Sequence, residues 1–320
     1  MKKRLIMQEI RSGSCQVIFH YTRNYSQPKI FLIKSSLRYT SHFFLCGILL
    51  LIVNGCTPVY LLSHHPKLSK KIFELKVNQA LQKSKKYPLN STILFEAQKL
   101  LTQYGYAFQL EIGDRKIYED YLASKQHFLE ASKSFSRALA LGKNSLRIKY
   151  PDIDEWLLSP ERIKIKFEIQ HIPNLYWTAA SIGGLIKAGK GSPETIVLLP
   201  QIRLLLYTAL EIDQSWGNGQ IYTALISYTM SEFPTSKEKI KTVKYYFDEA
   251  VRLSNGTDAG PFVAYAESVS IKNQDKEEFI HLLNRAVTIP STDDEEINLQ
   301  NHIAVNHAKW LLSRTDELFY

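Results

Sequence analysis

From residue 72 to residue 319 apolar side chains recur at spacings of three and four, a period that admits little except helices. Ile72, Leu75, Val77 and Leu81 mark one such face, and Phe128, Ala131, Phe135, Ala138 and Leu139 mark another. A helix turns once in 3.6 residues, so these spacings stack side chains on one face, whereas a half-buried strand needs alternation at two. No run of strict alternation stands out. Pro88, Pro151, Pro160, Pro173, Pro193, Pro234, Pro261 and Pro290 punctuate the chain at intervals suited to helix hairpins, because proline lacks the N–H that an interior helical turn requires. Asn218-Gly219 and Asn255-Gly256 read as helix termination. The expected fold class is all-α.

A finer regularity lies within that pattern. Four segments share a large-x3-large-x2-Ala arrangement, or close to it: Ala131/Phe135/Ala138, Ile202/Leu206/Ala209, Val243/Phe247/Ala250 and Phe279/Leu283/Ala286. The final alanines are 71, 41 and 36 residues apart, and tetratricopeptide (TPR) repeats have a period of about 34. Small residues at such positions let neighbouring helices approach closely. The expectation is a right-handed array of helix hairpins with cryptic TPR-like repeats over residues 72–320. The Trp-Leu-Gly-Tyr signature of a TPR first helix does not align, so an ordinary helical array with the same packing arithmetic stays open.

The formal charge of +9 suggests nucleic acid until its distribution is considered. Residues 1–55 hold eight Lys and Arg against Glu9 alone, which leaves the rest at +2. A nearly neutral body offers no stripe for neutralising phosphates, so no nucleic-acid partner is expected. The basic excess belongs to a leader. Phe43–Val53 is an apolar run of eleven, too short to cross a bilayer comfortably. Lys34 and Arg38 precede it and Asn54-Gly55-Cys56 follows, in the order of a secretory signal. Val53-Asn54-Gly55-Cys56 also resembles the lipobox of bacterial lipoproteins, in which the cysteine is acylated. Cys15 and Cys46 fall in the leader, leaving Cys56 with no partner for a disulfide. Residues 1–55 are thus expected to be a signal segment, Cys56 a lipidation site and residues 56–71 a tether. An uncleaved anchor running on through Leu62 is the alternative, weakened by Asn54, Gly55 and Pro58.

Motifs for catalysis and metal binding were sought and do not assemble. Gly184 to Lys190 approaches a phosphate-binding loop, but Gly191 stands where Ser or Thr must hold magnesium. A helix end with a glycine turn accounts for it better. His302 and His307 are five apart, about 140° around a helix, so they do not share a face as metal ligands would. His64-His65 lies in the tether, and Asp293-Asp294-Glu295-Glu296 fits an acidic first turn before the last helix. No cofactor, no metal and no enzymatic activity are expected.

The second half carries a more specific pattern. Tyr176-Trp177-Thr178-Ala179-Ala180 opens a small-residue helix, Leu199-Pro200-Gln201-Ile202-Arg203 leads to Ala209–Asp213, and Gly217-Asn218-Gly219 follows. Then come Tyr246–Ala250, Phe262–Glu267, Asn301, Ala308–Leu312 and Asp316–Phe319. In this order and spacing the set resembles the T component associated with TRAP-type transporters, over roughly residues 90–320. The resemblance implies a lipid-anchored, periplasm-facing helical protein. It further implies a homotrimer with a cavity through each subunit, pairing with a periplasmic solute-binding protein and handing over a small, hydrophobic ligand. Thr235-Ser236-Lys237 departs from the glycine-rich turn expected after Pro234. Tyr176, Trp177, Trp216, Tyr222 and Tyr228 fall on or beside the helices that would line the cavity, with plain core packing as the alternative for each. Thr57, not Asp, leans toward the outer membrane by the usual sorting rule. A ligand-free TPR-like envelope scaffold is the rival function. It predicts an exposed concave groove with polar asparagines in place of a closed apolar tunnel.

Overall fold

A computed structural model of the chain describes residues 66–234, 236–292 and 294–320. Cys56, the leader, His64-His65, Thr235 and Asp293 lie outside the described residues. Among the described residues the chain is all-helical, with no strand. Its helices are α1 (Pro66–Lys86), α2 (Ser91–Tyr104), α3 (Glu111–Lys116), α4 (Tyr121–Lys149), α5 (Ile153–Leu158), α6 (Ile172–Ala188), α7 (Pro193–Ile196) and α8 (Leu199–Ile212). There follow α9 (Gln220–Ser231), α10 (Lys237–Leu253), α11 (Gly260–Tyr265), α12 (Ile271–Asn273), α13 (Lys276–Val287), α14 (Glu295–Ser313) and α15 (Thr315–Leu318). Two π-helical segments interrupt the regular winding, Gly105–Leu110 between α2 and α3 and Ala266–Ser270 between α11 and α12.

Local chemistry sets the boundaries. Asn90, Asp120, Ser236 and Asp275 each accept a backbone N–H three residues on, from Ile93, Ala123, Lys239 and Glu278. Each satisfies one donor that the first helical turn leaves open. Pro173, Pro193, Pro200 and Pro261 sit in the first turns of α6, α7, α8 and α11, where a missing N–H costs nothing. Asn255 and Gly256, both at positive φ, follow the end of α10 as expected. Asn218-Gly219 does the opposite of what its sequence suggests: α8 has ended at Ile212, and Gly219, at φ 95°, caps the start of α9. A Cβ there would lie 2.9 Å from the Cα of Ala250, so glycine allows both the turn and the close approach of α10.

The helices pack mainly on their neighbours in sequence: α1 on α2, α2 on α4, α4 on α6, α6 on α8, α8 on α9, α9 on α10 and α13 on α14. A second set of contacts skips one long helix, joining α2 to α6, α6 to α9, α9 to α11 and α11 to α14. Helices α2, α6, α9, α11 and α14 therefore form one layer, backed by α4, α8, α10 and α13. The four repeated alanines all lie in the backing layer, and Ala138, Ala209, Ala250 and Ala286 are buried. Pro193–Ile212 is long and apolar enough to cross a membrane by composition, yet Ile202, Leu205, Leu206 and Ala209 belong to the main core. Trp310 is half-buried and packs against this core beside His307.

Candidate functional site

The layer α2–α6–α9–α11–α14, with part of α8, lines a half-open cavity of about 770 Å³. Its wall is mostly apolar and built from small residues: Ala179, Ala180 and Gly183 on α6, Ala224 on α9, Ala264 on α11 and Ala304 on α14. Small side chains on inner helices leave the space that Ile202, Leu206 and Met230 only partly fill. Such a volume is typical of small-molecule sites. Tyr106 closes one side, its hydroxyl donating to the Ala180 carbonyl at 2.9 Å while its ring stands edge-on to Phe135.

One stretch of wall is charged. Lys187 Nζ on α6 lies 3.3 Å from Glu267 Oε1 and 3.7 Å from Asp114 Oδ2. His307 on α14 places Nδ1 2.8 Å from Glu111 Oε2 and Nε2 3.5 Å from Glu267 Oε2. Lys190 and Arg115 complete the outer edge, at 2.9 Å from Asp114 and 2.6 Å from Glu111. Glu267 sits inside the second π segment, and Glu111 directly follows the first. A π turn holds an extra residue and widens the helix, and such segments often mark functional sites. Here both line the cavity, through Tyr106, Ala107, Phe108 and Leu110 on one and Glu267 and Ser268 on the other.

The cluster is internally compensated. Lys187's charge holds the Glu267 carboxyl far below the usual carboxylate range, and Glu267 in turn raises Lys187. Burial opposes charge on His307, but its hydrogen bond to Glu111 and the negative charges of Glu111 and Glu267 outweigh this and lift its pKa to about 9. His307 is therefore an imidazolium at neutral pH. About two fifths of the Lys187 and Glu267 side chains stays accessible, and both line the cavity. A second polar stretch has no cation. Burial pushes the Asp258 carboxyl up, opposed by the Gly260 N–H it accepts at 2.7 Å, and Gln220 donates to Gln300 nearby on the wall. Among the described residues no group of three or more His, Cys, Asp or Glu is placed to hold a metal ion.

Of the five aromatics proposed from sequence, Tyr176, Trp177 and Tyr228 line the cavity. Trp216 does not; it backs Tyr176 at a ring distance of 5.0 Å. Tyr222 points the other way, buried between α9 and α10 against Tyr245 and Tyr246. Sequence reasoning passed over the charged group. Lys187 and Lys190 were set aside with the loop near Gly184, and His307 with the failed metal pair. That loop is the end of α6: Gly184 packs so tightly that a Cβ would lie 2.3 Å from the Phe135 ring. Asn301 acts in the framework, accepting the Ala259 N–H and donating to the Thr257 carbonyl, which fixes the entry to α11.

Comparison with known proteins adds two findings. Residues 70–319 match a family model described as TRAP transporter T-component. The chain is also similar to an uncharacterized protein of Treponema pallidum (strain Nichols), 20% identical over 256 residues and covering 77% of each chain.

Proposed function

The chain belongs to the TRAP transporter T-component family, and from that premise we propose a solute-binding accessory held at the membrane by lipid. Membership makes it an accessory component of a TRAP-type uptake system, associated with the cell envelope. On our reading Cys56 carries the acyl chains and the segment after it tethers the helical domain, which begins with α1 at Pro66, six residues before the boundary at 72 expected from sequence; that domain faces the periplasm. There it meets a periplasmic solute-binding protein and takes a small apolar solute into the cavity. The cavity carries this reading. A cavity of about 770 Å³ among inner helices, walled by alanine, leucine, isoleucine and aromatic side chains, suits an apolar solute.

Tyr176, Trp177 and Tyr228 would contact the solute, each offering a broad apolar face and one polar tip. Trp216 and Tyr222 would act only by supporting the wall. The charged stretch around Lys187 and Glu267 would set which end of a solute enters that side. The two-layer packing, with alanines in the backing helices, supports TPR-like stacking. A homotrimer and an outer-membrane location complete the proposal and rest on the resemblance and on Thr57 alone. No catalytic role is assigned.

The rival scaffold reading asks for an open, asparagine-rich groove, and the apolar lining favours the solute. The test is organic extraction of the purified protein followed by mass spectrometry. An apolar compound recovered at near-stoichiometric yield, and lost when Ala224→Phe fills the cavity, supports the proposal. Equal recovery from both proteins would count against it.

A further inference from the structure

Helix α1 carries Lys67, Lys70, Lys71, Lys76, Lys83, Lys85 and Lys86 against one acid, Glu74. Its charge of +6 exceeds the +2 of the whole chain after residue 55, so the remaining helices are together net acidic. The body's near-neutrality hides one strongly cationic element.

The arrangement around the helix is ordered. Ser69, Phe73, Val77, Leu81 and Ser84 are buried on one face, and Phe73, Val77 and Leu81 join a core cluster with α2. At about 100° per residue the opposite face centres on Leu68 and Leu75, seven residues apart. Both are exposed, by 49% and 61%. Lys67, Lys71, Lys83, Lys85 and Lys86 stand exposed on that half of the helix. Among the described residues none of these five has a carboxylate within ion-pairing distance, whereas Lys70 reaches Glu74 at 3.9 Å. The middle of this face thus carries Leu68 and Leu75 over its first half and the polar Gln79, Gln82 and Lys86 beyond, with lysines on both sides.

Its place in the chain limits where it can be. Ten residues separate Cys56 from Pro66, and thirteen separate the apolar run ending at Val53 from the same point. Ten residues reach at most about 35 Å when fully extended. Any membrane attachment through this segment therefore keeps the start of α1 near the lipid surface. An acidic protein would match the lysines but leave Leu68 and Leu75 unexplained. A bilayer offers anionic phosphates at its surface and an apolar layer just beneath, which suits both.

We propose that α1 lies along an anionic lipid surface, its lysines on head-group phosphates and Leu68 and Leu75 at the edge of the acyl layer. The position of the helix rests on the membrane attachment proposed above; its charge and exposed leucines do not. Lying flat, α1 would fix the orientation of the helical domain on the membrane, which a tether alone does not do.

The test is amine-reactive labelling, read by mass spectrometry, of the full acylated protein in nanodiscs of phosphatidylcholine with or without phosphatidylglycerol. The account expects labelling of Lys67, Lys71, Lys83, Lys85 and Lys86 to slow several-fold in the anionic discs and to recover in high salt. The exposed lysines Lys237 and Lys241 of α10 serve as an internal reference and should not change. The triple variant Lys71→Glu/Lys83→Glu/Lys86→Glu, all surface positions, should abolish the slowing while circular dichroism stays the same. Retention in the discs with equal labelling in both lipids would overturn the helix proposal and leave the anchor standing. Loss of the protein from both kinds of disc would overturn the two together. Neither result bears on whether the cavity holds a solute.

Discussion

The imidazole of His307 stands 2.8 Å from a carboxylate oxygen of Glu111, although 196 residues separate them in the chain. Its other nitrogen faces Glu267, so one ring from the final long helix ties the two π-helical segments together across the cavity wall. The other charged groups around the bridge are Lys187 and Asp114 beside Glu267, and Arg115 and Lys190 at the edge, while the Trp310 ring packs against the imidazole at 5.3 Å.

The bridge makes stability depend on alkaline pH. His307's folded-state pKa of about 9 lies above its ordinary 6.5, so the bridge contributes fully below pH 6.5 and is lost as pH rises through 9. The contribution is at most on the order of 3 kcal/mol. Thermal unfolding at pH 7 and pH 10, compared between the natural protein and His307→Gln, isolates it from the titration of exposed lysines. The natural protein should lose more stability than the variant over that range; parallel losses would mean that His307 is not charged in the folded state.

Lys187→Met leaves Glu267 in a largely apolar wall with only His307 to face. Removing one partner of a buried pair costs more than removing an exposed one. About two fifths of each side chain is exposed, so screening lowers the expected loss to about 2 kcal/mol. Adding Glu267→Leu should recover a good part of it. Strict additivity in a double-mutant cycle would show that the two residues do not interact.

Gly184→Ala tests the tight contact between α4 and α6. The new methyl would meet the Phe135 ring, which is fully buried, at 2.3 Å. Overpacking of this kind costs about 1–3 kcal/mol, and Phe135→Leu should relieve part of it. Chemical denaturation reads the effect directly. A neutral Gly184→Ala substitution would mean the two helices have room to separate.

The helical fold was legible because its signals are local. Asn90, Asp120, Ser236 and Asp275 cap helices in the way their side chains dictate, and the repeated alanines mark the backing layer through spacing alone. Asn218-Gly219 has the chemistry of a helix end, where positive φ is common; here the same conformation precedes α9, and the close approach of α10 at Gly219 sets it. Residues 70–319 match the family that the ordered pieces of the second half resemble. The site was half visible. Aromatic residues near small-residue helices pointed to Tyr176, Trp177 and Tyr228, while the side of α9 occupied by Tyr222 depends on tertiary packing. Glu111 and Asp114, Lys187, Glu267 and His307 come from four separate stretches, and no spacing rule joins groups brought together only by folding. The charge of α1 escaped for a different reason: a sum over the body cancels a basic helix against acidic ones.

Filling the cavity should separate binding from folding. Ala224→Phe adds a ring to a lining position on α9 whose side chain faces open space in the cavity. Affinity for a small apolar fluorophore should fall by about tenfold or more, a difference of about 1.4 kcal/mol, while the helical circular dichroism signal stays unchanged. Unchanged affinity with an intact fold would place the fluorophore elsewhere.

On the proposed function this protein serves a TRAP-type system by meeting its solute-binding protein. Affinity capture of the acylated, Cys56-containing protein from its own cells after mild crosslinking tests this most directly, with partners identified by mass spectrometry. The account predicts recovery of a TRAP-type solute-binding protein, lost on washing when the crosslinker is omitted. Recovery of envelope-assembly proteins alone, or of nothing but the protein itself, would contradict it.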